Sequence, residues 1–141
     1  MIDLTQFGIY DYTIEFEKLK VIFMSKKQKL LNAYSTDGVI SLDNLEKYQS
    51  IENHIVKEVN SNRKGWAIIC MVTKYDEYTI IVNTDNLVAV NKDCKDDALH
   101  LEYSDDTNNS FSIPSFEEYP DGINKLFDIL SQRILEKRKM F

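Results

Sequence analysis

Seven consecutive apolar residues, Trp66 to Val72, constrain the fold of this chain more than any other stretch. Two strand-like runs follow, Tyr78–Asn83 and Leu87–Asn91, joined by the short links Lys74–Glu77 and Thr84–Asn86. A parallel crossover takes roughly a dozen residues or more, so links this short demand antiparallel hairpins. A strand apolar at every position has both faces covered, which predicts an interior place for Trp66–Val72. Ala98–Tyr103 has another pattern. Leu99, Leu101 and Tyr103 alternate with His100 and Glu102, the mark of a strand with one wet face. Phe111–Ile113 adds a short strand before Pro114.

Upstream, Phe16–Met24 is rich in Leu, Val, Ile and Phe and is predicted as a strand. Asp37-Gly38 is a hairpin signal that would join Leu31–Ser35 to Val39–Leu42. Asp43 and Glu46 stand in capping-box relation, and Leu45, Tyr48, Ile51, Ile55 and Val59 fall on one helical face. This spacing predicts a helix over 43–61. A second stripe, Ile123, Leu126, Phe127, Leu130 and Ile134, predicts a helix over 121–138 with Asp121 as its N-cap. The expected class is α+β: an antiparallel meander of at least four strands packed with two helices. No repeat or linker divides the sequence, so one domain over residues 1–141 is expected.

No secretory signal opens the chain and no apolar run reaches membrane-spanning length, which points to a cytoplasmic protein. Two cysteines, Cys70 and Cys94, are then expected as free thiols, with Cys70 in the core. The formal net charge is −6, from 23 acids and 17 bases, and its distribution is uneven. Between Asp85 and Asp121 ten acids face only two bases, Lys92 and Lys95. Such acidity counts against nucleic acid and anionic membrane as ligands and favours a basic partner.

Candidate chemistry is sparse. His100 lies two residues from Glu102 on the wet side of its strand, but the sequence offers no nucleophile beside the pair. His54, with Lys47 and Glu58, falls on the polar side of the first helix and reads as solvated. Cys94, Asp96, Asp97 and His100 lack the paired spacing of a zinc site, and Asp93–Asp106 lacks a calcium-loop pattern. The four glycines form no phosphate loop, so neither metal nor other cofactor is expected. Two basic clusters remain, Lys26-Lys27-x-Lys29 in a loop and Lys137-Arg138-Lys139 where cations complement a helix dipole.

The acidic window differs from an ordinary solvated face because aromatics interleave with its carboxylates. Asp93, Asp96, Asp97, Glu102, Asp105, Asp106, Glu117 and Glu118 supply a steering rim, and Tyr103, Phe116 and Tyr119 supply candidate anchors. Two stretches, Lys92-Asp-Cys-Lys-Asp-Asp97 and Ser115-Phe-Glu-Glu-Tyr-Pro-Asp121, carry the resemblance. In overall profile the chain resembles the immunity proteins of bacterial toxin systems, such as the partners of nuclease colicins and of contact-dependent growth inhibition toxins. That resemblance implies a non-enzymatic inhibitor bound tightly to a cognate toxin domain, commonly a basic nuclease attacking tRNA, rRNA or DNA. A nucleic-acid mimic of the anti-restriction kind uses the same electrostatics and ranks second. A small enzyme or ligand-binding domain ranks third.

Overall fold

The computed structural model describes residues 1–62, 65–72, 74, 76–85, 87–93, 98–104, 111–114 and 122–139. The chain falls into two compact units, Met1–Asn83 and Thr84–Phe141. In the first, β1 (Leu19–Ser25), β2 (Leu30–Ser35) and β3 (Gly38–Leu42) precede α1 (Tyr48–Ser61), β4 (Trp66–Val72) and β5 (Glu77–Asn83). These strands form one antiparallel sheet in the order β3-β2-β1-β5-β4. In the second unit β6 (Leu87–Asp93), β7 (Ala98–Tyr103) and β8 (Phe111–Pro114) form an antiparallel sheet in chain order, followed by α2 (Gly122–Lys139). The α+β class and an antiparallel sheet of more than four strands agree with the sequence reading.

Trp66–Val72 is an edge strand, against the interior place expected for it. Nor does Tyr78–Asn83 continue into the next hairpin. β5 lies between β1 and β4, with Val21 opposite Val82 and Ala67 opposite Val82 on the other side, so no free edge remains for β6. The meander expected over 66–103 therefore divides at Asn83 and Thr84 into two sheets. Along β4 burial fades: Ala67 and Ile69 are buried, Trp66 and Ile68 are half-buried, and Cys70 and Val72 are exposed. Cys70 is a free surface thiol and not the core residue its apolar neighbours suggested.

α1 covers one face of the five-stranded sheet. Tyr48, Ile51, Ile55 and Val59 pack with Ile22, Met24, Leu31, Ala33 and Ile81 in a single buried cluster. Ile2 and Leu4 from the N-terminal segment are fully buried in the same cluster. His54 holds that segment down: its Nε2 lies 3.0 Å from the Asp3 carbonyl and its ring meets Phe7 edge-on at 5.5 Å. It is a half-buried docking residue and not the solvated one expected.

The capping box at Asp43 and Glu46 does not form. α1 begins at Tyr48 with Lys47 in the capping position and no side-chain cap. Leu45 is instead pinned ahead of the helix, where its N–H donates to the Lys29 carbonyl at 3.1 Å. The next residue back, Asn44, takes a left-handed φ of 51° to make that turn. Core burial of Leu45 and docking on the β1–β2 turn thus outweigh the worth of a cap, about 1 kcal/mol.

A buried carboxylate organises the β1–β2 turn. Asp76, 7% exposed, accepts a hydrogen bond from the Ser25 hydroxyl through Oδ2. Its Oδ1 accepts the N–H groups of Lys27 at 2.8 Å and Glu77 at 2.7 Å. The Gln28 N–H donates in turn to Ser25 Oγ at 3.3 Å. The lysine-rich turn is therefore a tethered one, with Lys26 also paired to Glu77 at 3.3 Å.

The β2–β3 hairpin turns as Asp37-Gly38 suggested, with Ser35 opposite Gly38. Gly38 has φ 133°, a region closed to side chains by backbone sterics, although open space surrounds the place a Cβ would take. Gly38→Ala is expected to cost about 1–2 kcal/mol through backbone strain alone. Urea denaturation should show a lower midpoint at unchanged slope; a midpoint equal to the parent's would reject the strained turn.

Candidate acidic interface

β7 is the middle strand of the second sheet, and its alternation sorts the residues of interest onto two faces. Leu99, Leu101 and Tyr103 are buried, as are Leu126 and Leu130 of α2, the helix that packs on β6 and β7. His100 and Glu102 point the other way, and Glu102 is exposed. One wet face is what the alternation predicted. At 1% exposure Tyr103 is a buried residue of the dry face and not the surface anchor expected.

Register places Asn91 opposite His100 and Ala89 opposite Glu102, so these four residues share the wet face. Asn91 Nδ2 donates to Glu102 Oε1 at 3.4 Å. On the other side of His100 the register partner is Ser112 of β8. A serine one strand from the histidine is a neighbour that sequence spacing did not reveal, because it comes from pairing over a gap of twelve residues. Asn91 and Glu102 are both exposed, so this face lacks the water exclusion that sharpens acid–base chemistry.

Lys92 is one of the two bases in the acidic window, and the structure shows how it is engaged. Its Nζ donates to Asn124 Oδ1 at 2.9 Å and lies 4.5 Å from the centre of the Phe127 ring. Both partners belong to the first turns of α2, so Lys92 ties helix to sheet with a hydrogen bond and a cation–π contact. Lys92 remains exposed, and its contacts are to a neutral amide and a ring rather than to a carboxylate.

Of the residues expected at the partner surface, Glu102 is exposed on β7, Tyr103 is buried, and Asp93 ends β6. Asp96, Asp97, Asp105, Asp106, Phe116, Glu117, Glu118 and Tyr119 lie outside the described residues, as do Cys94 and the expected N-cap Asp121. Among the described residues no three His, Cys, Asp or Glu side chains converge as metal ligands. No helix among them is long and apolar enough to cross a membrane.

The boundary between units coincides with a change in charge. Met1–Asn83 carries eleven acids and ten bases, whereas Thr84–Phe141 carries twelve acids and seven bases. Five of those seven bases belong to α2, so the β-strand half of the second unit is almost purely acidic. No family model, curated protein or solved structure matches this chain.

Proposed function

We propose that this protein is a neutralising binding protein of the immunity type, whose acidic second unit engages a basic protein domain. The observation that carries the reading is the confinement of the charge. Ten acids against two bases fall within one stretch of one structural unit, and one of those bases is engaged by Asn124 and Phe127 of α2. A field of one sign concentrated on one surface raises the encounter rate with a partner of opposite sign. A nuclease fits as the partner class, because its cleft is lined with Lys and Arg that contact phosphate. Carboxylates on this unit would occupy that cleft or its rim, and aromatic residues would slow release.

The test is stopped-flow association with a basic toxin domain that co-purifies with the protein. Reversing Asp96, Asp97, Asp105 and Asp106 to Lys is expected to slow association by about tenfold to a hundredfold at low salt and to flatten its salt dependence. Tyr119→Ala should act mainly on dissociation, at a cost of about 2 kcal/mol for an anchor. His100→Ala should leave protection intact, which separates inhibition by binding from an enzymatic reading built on His100. If the four-fold reversal associates as fast as the parent at every salt concentration, the acidic unit is a solvated surface and the proposal is wrong. Equal inhibition of unrelated nucleic-acid enzymes would favour the nucleic-acid mimic instead.

A further inference from the structure

A cleft of about 160 Å³ opens in the first unit, between the segment around Ile14–Leu19 and the β2–β3 hairpin. Its lining is mixed: Ile40 and the buried Ile14 and Ala33 give it an apolar side, and Glu15, Lys18 and Asp37 give it charge. Both sides are fixed by backbone hydrogen bonds. The Lys18 and Leu19 N–H groups donate to the Glu15 carbonyl at 3.2 and 3.0 Å, and the Thr36 N–H donates to the Lys18 carbonyl at 3.1 Å. Ile14 is bridged to Ile2. The opening is therefore formed in advance of any ligand.

Its volume is below the roughly 300 Å³ at which metabolite pockets begin, so it suits one group the size of a side chain. The charge at its lip selects the sign of that group. Lys18 already places its ammonium on Asp37 at 2.8 Å, with both side chains more than half exposed. Its pKa is raised, first by the hydrogen bond to Asp37 and the opposite charge there, then by Glu15 and Glu17. Asp37 holds the ammonium directly, and the resident lysine demonstrates the contact that an incoming cation would make.

We infer that this cleft binds a cation on an aliphatic stem, an alkylammonium or alkylguanidinium that lays its stem along Ile40 beside Ile14 and Ala33 and takes Asp37 from Lys18. The chemistry is shared by free diamines and by the lysine or arginine side chains of a partner protein. The inference is independent of the acidic second unit, since every residue in it belongs to Met1–Asn83.

The test is an amide NMR titration of the full chain with n-butylammonium, using n-butanol as the uncharged control. Saturable shifts at Ala33, Val39 and Ile40 are expected from the cation and not from the alcohol. Asp37→Asn should weaken binding about threefold, and Lys18→Met should tighten it by a similar factor, the scale of an exposed ion pair. The tightening separates a ligand site from a merely structural salt bridge. Agmatine and a blocked lysine amide distinguish the source: saturation by agmatine alone assigns a free diamine, and saturation by the blocked lysine as well assigns a partner side chain. Both variants change exposed groups, and their folding is checked by the dispersion of the same spectra. Shifts equal for cation and alcohol, no saturable shift at these three amides, or a Lys18→Met variant that binds no tighter would each overturn the inference.

Discussion

Tyr103→Ala is expected to destabilise the second unit by about 4 kcal/mol, the cost of deleting a fully buried aromatic ring. Tyr103 is 1% exposed and shares its face of β7 with Leu99 and Leu101, both fully buried. The loss should be read by hydrogen exchange, as reduced protection at Leu87, Leu99 and Leu101. A partner-binding assay on this variant would report unfolding before it reported affinity. A loss within about 1 kcal/mol together with faster partner dissociation would instead make Tyr103 a binding anchor.

Asp76→Ala is expected to cost about 3 kcal/mol. The carboxylate accepts three hydrogen bonds, from Ser25, Lys27 and Glu77, and Ser25 is fully buried. Its removal leaves the Ser25 hydroxyl without that acceptor and releases the turn that Leu45 docks on through Lys29. Asp76→Asn keeps an acceptor oxygen for the two N–H groups and should cost about half as much. Thermal melts of the pair check this ordering, and equal losses for Ala and Asn would show that the hydrogen bonds are not what Asp76 contributes. The sequence carried little sign of this role. A single Asp in Tyr75-Asp76-Glu77 looks like any hairpin link until the turn at Lys26–Gln28 is folded against it.

The candidate interface was legible in part. Charge is additive along a sequence, so the acidic stretch and the near balance of the remainder needed no coordinates. The period of two along β7 also marked Leu99, Leu101 and Tyr103 as one face and His100 and Glu102 as the other. Which face was the core was equally plain, and Tyr103 was miscast because a hydroxyl on an aromatic ring suits both a core and an interface. The neighbours of His100 were illegible. Asn91 and Ser112 stand opposite it in strand register, and register is a property of the pair and not of either strand.

What the sequence by itself determined is local. Apolar runs and turn signals marked most of the strands, alternation marked β7, and 3.6-spaced stripes marked both helices, because each of these is a property of neighbouring residues. Link length marked β4–β5 as an antiparallel hairpin and Asp37-Gly38 marked β2–β3, whereas the same link-length argument failed for β5 and β6, which do not pair. Tertiary structure alone decided that β5 pairs with β1, which comes some sixty residues before it, and so closed β5 to β6 and left Trp66–Val72 at the edge. The reason is geometric. Side chains project above and below a sheet, whereas hydrogen bonds run within its plane, so an apolar strand reports what covers it and says nothing of what lies beside it.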